Sequence, residues 1–378
     1  MKLRVLVLGA GFGGLELSTI LSNTVGDQLE LTLIDKRDSF YLGASKLDVM
    51  IGRKSPEAVR IPYHKLSKSG VQFRQETIST IDPENIQVTT DQGNYAADFM
   101  VVALGADYDL GFTPGLIEQG HEFYTLGGAE RLRDHLPTFQ GGDVVVGVAD
   151  LPFKCPTAPS EAVLLLHDYF KERGIRDKTN ISLIVPLDKP IPPSAETSDA
   201  LLAAFAERDI RFIPEMLVES YDHEQKSVTL LDESQLPCDL FIGIPKHRAP
   251  KVVLESGLCE NGWVPVDTAT LQTKFPGVYA VGDVTSVGVP RAGVFAEGAA
   301  RVVAQTVLSE FSGTEKPAAY DGIGVCYIEF GDKQVAKVKV DFLSGPERTG
   351  VFTRPGHSLV KEKSEFAATR YARWFNMT

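Results

Sequence analysis

The residue best suited to covalent chemistry is Cys155, which lies in the segment 143–170, DVVVGVADLPFKCPTAPSEAVLLLHDYF. This segment reads as a buried strand at Val144, a short loop, and a helix whose apolar positions begin at Ala162. A strand-loop-helix unit binds a pyrophosphate when its loop is rich in glycine, but this loop contains Lys154, Cys155 and two prolines instead. A helix dipole favours the thiolate form of a thiol just ahead of the helix. The sequence therefore predicts a reactive cysteine here rather than a bound nucleotide.

The other three cysteines, Cys238, Cys259 and Cys326, are far apart and form neither a CxxC pair nor a Cys/His cluster with zinc spacing. The sequence therefore predicts no metal site. Cys238 and Cys259 are typical of small buried hydrophobic residues. In a reducing cytoplasm a lasting disulfide is more often catalytic than structural, so a pairing among the four cysteines would indicate redox chemistry.

A dinucleotide-binding fingerprint opens the chain. An apolar strand leads into Gly9, Gly11 and Gly14, which have GxGxxG spacing at the start of a helix. These glycines allow a tight turn, a close approach of the backbone to a pyrophosphate, and close packing of helix on strand. The next strand, 29–34, ends at Asp35, whose carboxylate can accept a hydrogen bond from a ribose hydroxyl. Strand, glycines, helix and acid together predict a bound dinucleotide.

Further strands and helices must position these groups. Short strands between 71 and 90 are expected to form a small insert, after which the strand 99–104 returns to the first sheet. A second α/β unit follows, with strands near Val144, Ile181 and Asp239. The strand 278–281 then delivers Gly282 and Asp283 to the carboxyl end of a sheet, where binding sites collect, and a helix begins near Gly293.

The last part of the chain has a different pattern. Alternating strands at 324–330 and 334–340 predict a β-hairpin. The tail, 357–378, predicts an amphipathic helix with its cations away from the apolar side. Such a helix either lies on a membrane surface, with its cations near anionic lipid, or docks on its own domain or on a second subunit. The residues near its apolar face are Leu359, Phe366, Ala367, Tyr371, Trp374 and Phe375.

Composition limits the possible functions. A chain of 378 residues with 43% apolar content is long enough for two domains and a tail. A net charge of -12 argues against binding of nucleic acid, which requires a basic surface. The first residues enter a strand directly, without the pattern of a secretory signal, and no apolar run is long enough to span a bilayer. The expected location is the cytoplasm, with only peripheral contact to the inner face of the cell membrane.

Five segments carry a resemblance to a known family: GAGFGGLE from Gly9, the FKCPTAPSE loop, DLFIGIPKHRAP from Asp239, VYAVGDV, and RYARWF near the end. They resemble the sulfide:quinone oxidoreductase and flavocytochrome c sulfide dehydrogenase group over nearly the whole chain. The resemblance implies an α/β fold with two Rossmann-like dinucleotide-binding domains, as in glutathione-reductase-like flavoproteins, plus the hairpin and amphipathic helix. The implied segments are 1–105 and 248–318 for the FAD domain, 106–247 for the second domain with the cysteine loop, and 319–378 for the tail.

The resemblance implies FAD as the cofactor. Gly9, Gly11, Gly14 and Asp35 would bind it, with Gly282 and Asp283 on the ribityl and phosphate portion. Family members often have lysine where this chain has Arg291, and either cation can stabilise negative charge at the N1 and O2 edge of reduced flavin. The other residues that the resemblance places in the cofactor site are Phe12, Gly13, Lys36, Ile78, Leu104, Gly105, Ala292 and Gly293.

In the enzymes that this chain resembles, two redox cysteines face the flavin, and the matching positions are Cys155 and Cys326. Glu161 matches a carboxylate that some members place beside the cysteine as base or proton relay. A glutamate in the first turn of a helix is also explained by capping and the helix dipole. A third cysteine common in quinone-type members is missing between 106 and 150, which leaves a two-cysteine mechanism or a different sulfur product open.

These observations predict an enzyme that oxidises sulfide, or a small thiol or persulfide, through Cys155 and Cys326, and passes electrons through FAD to a membrane quinone near the tail. The alternatives are a flavocytochrome-c-like sulfide dehydrogenase, an NADH:quinone reductase-like flavoprotein, and a non-enzymatic flavin redox sensor. The sequence leaves open the acceptor, the sulfur product, the cysteine that carries the persulfide, covalent attachment of FAD, and the oligomeric state.

Overall fold

The computed structural model describes residues 2–315 and 318–377. Residues 1, 316, 317 and 378, which belong to the predicted segments 1–105, 248–318 and 319–378, lie outside the described residues. The boundaries of the four segments stay predictions.

The first sheet has five parallel strands and carries the glycine turn. Runs such as LRVLVL are nearly all apolar because parallel strands are covered on both faces. The helices Phe12–Val25 and Gly293–Ser312 pack against each other beside this sheet. In spatial order the strands are Val278–Ala280, Phe99–Val102, Leu3–Leu8, Leu29–Asp35 and Val71–Gln75.

The second sheet has four parallel strands, one of which leads into the cysteine loop. Its strands, in spatial order, are Ile210–Ile213, Thr179–Ile184, Gly142–Val148 and Leu240–Ile244. The helices of this part of the chain are Leu126–His135, Ala158–Glu172 and Ala195–Glu207. Side chains of the strands and of the Ala158–Glu172 helix share one hydrophobic core.

The chain also forms small sheets and short helices outside the two parallel sheets. Val71–Gln75, which was expected in the insert, is instead the edge strand of the first sheet, because its hydrogen bonds go to Leu29–Asp35. The insert is a three-stranded sheet of Ile78–Asp82, Gln87–Thr90 and Asn94–Ala96. The remaining pairings and helices are Val218–Asp222 with Ser227–Leu230 and Gln235–Pro237, Asp107–Asp109 with Lys246–Arg248, Ser39–Phe40 with Ile61–Pro62, and the short helices Ser45–Met50 and Lys251–Leu254.

The predicted hairpin is present as Ile323–Gly331 and Gln334–Asp341, and a third strand, Thr349–Gly356, extends it to an antiparallel sheet, called the third sheet below. The third strand was not predicted because its sequence, TGVFTRPG, contains proline and two glycines. An edge strand tolerates both, since one side of its backbone has no partner strand.

The last turn of the carboxy-terminal helix, Ser358–Phe375, packs into the hydrophobic core that surrounds the first sheet. Trp374 is fully buried, and its ring packs edge to face on Phe12 at 5.6 Å and on Phe40 at 5.4 Å between centroids. Its indole N–H donates to Glu16 Oε2 at 2.8 Å. The hypothesis that Trp374 and Phe375 lie among lipid headgroups is therefore wrong, and docking on the same chain is observed instead.

The cations of this helix were also expected to face lipid, and three of them do not. Arg370 donates to Glu297 Oε2 at 2.7 Å, and Arg373 lies 2.9 Å from Glu16 Oε2. Both glutamates are buried, so each carboxyl group needs these polar partners. The third cation, Lys363, donates to Glu329 at 2.6 Å. Across residues 2–315 and 318–377, no helix has the length and apolar character needed to cross a bilayer.

These contacts predict that the carboxy-terminal helix supports folding. Replacement Trp374→Ala leaves a cavity between Phe12 and Phe40 and removes a hydrogen bond from buried Glu16. We expect the free energy of unfolding, measured by urea denaturation, to fall by about 3–5 kcal/mol. Val360→Ala, on an exposed position of the same helix, is the control and should change it by less than about 0.5 kcal/mol. If Trp374→Ala leaves the midpoint of urea denaturation unchanged, the stabilising role of this docking contact is contradicted.

Candidate functional site

One cavity of about 1510 Å³ reaches from the glycine turn to the cysteine loop, the third sheet and the carboxy-terminal helix. Pockets for single small ligands are commonly about 300–1,000 Å³. This cavity is therefore large enough for an extended ligand with a second molecule beside it.

Most of the predicted site residues line this cavity, although their binding roles stay predictions. The exceptions are Gly9 and Gly14. The lining residues from the predicted set are Gly11, Phe12, Gly13, Asp35, Lys36, Ile78, Leu104, Gly105, Cys155, Glu161, Gly282, Asp283, Arg291, Ala292, Gly293 and Cys326.

The three fingerprint glycines meet different constraints. Gly9 has φ +101°, and a Cβ there would lie 2.4 Å from the carbonyl oxygen of Ala103. A Cβ on Gly14 would lie 2.0 Å from the Gly9 carbonyl oxygen, so this glycine permits close packing of helix on strand. A Cβ on Gly11 would meet no atom of the described residues within 4 Å, and Gly11 lines the cavity. The open space at Gly11, at the start of a helix, fits the pyrophosphate of a dinucleotide.

Asp35 lies where a ribose-binding acid is expected, at the end of its strand and in the cavity wall. Its carboxylate accepts hydrogen bonds from the Ala10 N–H at 2.9 Å and from the Arg37 backbone and guanidinium. Burial alone would raise the pKa of Asp35, but the charge and hydrogen bonds of Arg37 lower it overall. Because these donors occupy both oxygens, a ribose hydroxyl would have to replace one of the guanidinium bonds.

Two cationic side chains, Arg291 and Lys154, line the cavity near Asp283. The Arg291 guanidinium lies over the Trp263 ring, 3.8 Å from its centroid, and donates to the Asp283 carbonyl oxygen at 3.0 Å. Burial lowers the pKa of Arg291 to about 10. Lys154 also lines the cavity, and its Nζ donates to the Ala106 carbonyl oxygen at 2.6 Å and lies 3.8 Å from Asp283 Oδ2. Lys154 is thus a second cation at this edge, which the sequence interpretation did not assign.

Cys155 is held in a strained backbone conformation. Its φ is +51°, a left-handed value that is uncommon for a residue with a side chain. Its N–H donates to the Arg291 carbonyl oxygen at 2.7 Å, and its carbonyl oxygen accepts from the Ala158 N–H at 2.8 Å. The Tyr124 hydroxyl also donates to the carbonyl oxygen of Lys154 at 2.9 Å. These bonds fix the thiol against the segment that follows Asp283.

The expectation that the helix dipole favours a Cys155 thiolate is not supported by the surroundings of the thiol. Burial raises the pKa of Cys155 to about 11, and the negative charge of Glu161 adds to this rise. Burial also raises the pKa of Cys326 to about 12, with further contributions from Cys155 and Glu161. All four cysteines are free thiols here. Nucleophilic chemistry at Cys155 therefore needs a group that removes its proton.

Glu161 has partners from three parts of the chain. Its Oε2 accepts from the Thr157 hydroxyl at 3.1 Å, and its Oε1 accepts from the Glu329 N–H at 3.1 Å and lies 3.9 Å from Lys363 Nζ. Burial raises the pKa of Glu161, and the positive charge of Lys363 opposes this change. The Cys155 Sγ lies 3.5 Å from the Thr157 hydroxyl oxygen.

Thr157, Glu329 and Lys363 were not singled out from the sequence. Thr157 precedes the first helical residue and lies four positions before Glu161, a spacing that could have identified it. Glu329 and Lys363 come from the third sheet and the carboxy-terminal helix, and only folding brings them to Glu161. Cys238 and Cys259 pack in hydrophobic clusters away from the cavity lining, as core cysteines do.

Proteins similar to this chain include members of the family that its sequence motifs resemble. The mouse mitochondrial sulfide:quinone oxidoreductase is 27% identical over 369 residues, which cover 92% of this chain and 80% of that protein. A sulfide-quinone reductase of Aquifex aeolicus is 25% identical over 359 residues, covering 88% and 82%. These relatives confirm the resemblance.

The solved structure of the Aquifex aeolicus sulfide:quinone oxidoreductase superposes with a TM-score of 0.89 at 23% identity, covering 99% of this chain and 92% of that one. The predicted α/β class with two Rossmann-like domains is thereby confirmed. The pyridine nucleotide-disulphide oxidoreductase family matches residues 3–305, which is most of the sequence. The chain belongs to this family of oxidoreductases.

Proposed function

We propose that this protein is an FAD-dependent enzyme that oxidises sulfide, or a small thiol or persulfide, through Cys155 and Cys326 and transfers the electrons to a quinone. The observation that carries the proposal is that both cysteines and Glu161 line the same cavity as Gly11 and Asp35. Support also comes from the relatives in mouse and Aquifex aeolicus, which are named for sulfide and quinone.

In the proposed reaction the two cysteines begin as a disulfide. Hydrosulfide attacks one sulfur, so that a new S–S bond forms a persulfide on that cysteine while the Cys155 to Cys326 bond breaks. The sulfide sulfur is oxidised by two electrons, and the other cysteine is reduced to a thiolate. When bound, FAD supplies the two-electron acceptor between this sulfur and the quinone.

We place the quinone at the end of the cavity that the carboxy-terminal helix closes. Phe366, Ala367 and Lys363 line this end. The Phe366 ring packs edge to face on Tyr327, the neighbour of Cys326, at 5.6 Å between centroids. An aromatic surface suits the packing of a quinone ring. Val360 also lines this end and is 38% exposed, which supports peripheral contact with the bilayer in which quinones dissolve.

An NADH:quinone reductase is the second candidate. Its nucleotide would need a pyrophosphate site in the second α/β unit, where the loop carries Lys154, Cys155 and prolines in place of glycines. The Cys155 N–H, which a phosphate would need, donates to Arg291 instead. These features favour sulfur over nicotinamide as the electron source.

The first prediction of the proposed function concerns the cysteines. Replacing Cys155 or Cys326 by serine should slow sulfide-driven flavin reduction by about 10³-fold or more, because one sulfur cannot form the disulfide. The double replacement should be no slower than either single one. Cys238→Ser and Cys259→Ser are matched controls and should keep the wild-type rate. The measurement is anaerobic stopped-flow absorbance of the flavin, and a fully active Cys326→Ser variant would refute the pair.

The second prediction separates the two electron donors. In an anaerobic titration of the flavin spectrum, sulfide should bleach the flavin, while NADH and NADPH should do so far more slowly, because their pyrophosphate has no glycine turn to bind. Rapid bleaching by NADH with no response to sulfide would replace the proposed function by the second candidate. A flavin that responds to sulfide without turning over a soluble quinone analogue would indicate a redox sensor.

The third prediction tests the cofactor site. Gly11→Val places a side chain in the open space of the cavity, so the apoprotein should melt near the wild-type temperature while FAD binds about tenfold more weakly or worse. Gly14→Val instead drives a side chain into the Gly9 carbonyl and should lower the stability of the apoprotein by about 1–3 kcal/mol or more. Thermal unfolding and flavin fluorescence titration measure the two effects. Wild-type FAD affinity in Gly11→Val would place the cofactor elsewhere.

A further inference from the structure

Thr157 occupies a position in which a threonine hydroxyl usually caps the N-terminus of a helix. It precedes Ala158–Glu172 as the N-cap residue, where a threonine oxygen usually accepts a hydrogen bond from a backbone N–H of the first turn. No such capping bond is made by Thr157. The hydroxyl donates instead to Glu161 Oε2, and its oxygen lies 3.5 Å from Cys155 Sγ. The side chain thus links the thiol and the carboxylate.

The direction of the two contacts suits proton transfer. Because the Thr157 O–H points to Glu161, the lone pairs of its oxygen are free to accept the Cys155 S–H. Both Thr157 and Glu161 are buried, and with Cys155 they form part of the same cavity wall. Water is therefore not required between the thiol and the carboxylate.

We propose that the Thr157 hydroxyl relays the proton of the Cys155 thiol to the Glu161 carboxylate. The S–H bond of Cys155 breaks as its proton passes to Thr157 Oγ1, and the original Thr157 O–H bond breaks as that proton passes to Glu161 Oε2. Each bonding electron pair stays on the atom that loses its proton, so nothing is oxidised or reduced. The products are a thiolate, an intact hydroxyl and a neutral carboxylic acid. This inference rests on the proposed function and applies to the state in which the Cys155–Cys326 disulfide is open and Cys155 is a protonated thiol rather than the persulfide.

The relay explains how a buried thiol can react. The surroundings raise the pKa of Cys155 well above neutrality, so few thiolates form without a base. Glu161 is the carboxylate that Thr157 contacts, through Oε2. The positively charged Lys363 Nζ lies 3.9 Å from the other oxygen, Oε1. The titratable groups that face Cys155, Thr157 and Glu161 from the surrounding elements are Lys46, Tyr124, Cys326, Glu329 and Lys363.

The test replaces Thr157 by valine, which lacks the hydroxyl but has nearly the same shape. Thr157→Val in the holoenzyme should slow sulfide-driven flavin reduction by about 10²-fold, and Thr157→Ser, which retains the hydroxyl, should restore the rate to within about threefold of wild type. Glu161→Gln should match Thr157→Val, and the double variant should be no slower, because both interrupt one path. Thr179→Val is the matched control, since its buried hydroxyl donates to the Ile175 carbonyl oxygen outside the cavity lining.

A second readout does not depend on sulfide. In a protein that keeps Cys155 as its single cysteine, the rate of iodoacetamide alkylation is followed against pH. Loss of the Thr157 hydroxyl should move the midpoint of this profile to higher pH, and Thr157→Ser should return it. Thr157→Ala removes the same hydroxyl and should give the same shift, which covers a poorly folding valine variant.

The two proposals fail in different ways. If sulfide does not reduce the wild-type flavin, the proposed function is wrong, and the alkylation profile still tests the relay. If sulfide reduces the wild-type flavin, but Thr157→Val and Thr157→Ala keep the wild-type rate and the wild-type alkylation midpoint, the relay is overturned. A loss of rate that Thr157→Ser does not restore also overturns it, because a relay needs only the hydroxyl.

Discussion

The hydrogen bond from the Cys155 N–H to the Arg291 carbonyl oxygen is the contact on which the site depends. It joins the cysteine loop to the segment that follows Asp283 at the edge of the first sheet. Residues from the two parallel sheets therefore meet at a fixed distance, and the left-handed backbone of Cys155 is maintained by bonds on both of its sides. The cysteine loop therefore lies in the same cavity wall as Gly282 and Asp283, which follow the edge strand of the first sheet.

Burial of this junction determines the chemistry that is possible there. A low-dielectric environment disfavours every isolated charge, which raises the pKa of the Cys155 and Cys326 thiols and of Glu161. The positive charge that opposes the effect on Glu161 comes from Lys363, whose ammonium group is also bound by Glu329. Arg53 forms a further ion pair with Glu329 at 2.5 Å. The carboxylate beside the cysteine is thus linked to three other charged groups that no single segment of the chain supplies.

The carboxy-terminal helix has two roles at its two ends. Its last turn is anchored by Trp374 and by arginines on buried Glu16 and Glu297, which belong to the two helices beside the first sheet. Its middle contributes Lys363 and Phe366 to the cavity wall. The anchoring of one end therefore helps to determine where the middle of the helix meets the site. A helix that only rested on a membrane could not hold these groups in place.

The sequence by itself determined the features whose cause is local. The glycine spacing, the acid after the second strand and the cysteine in place of a glycine turn each follow from the backbone needs of one short segment, and strands and helices were predicted from periodicity. Cys326 was assigned by family resemblance alone, because a cysteine on a strand has no local signal of its partner. Only the tertiary structure decided that the Arg291 guanidinium turns to Trp263, that Thr157 links Cys155 to Glu161, and that the tail docks on its own chain. These outcomes depend on burial and on which distant charges and rings become neighbours, and neither quantity exists until the chain has folded.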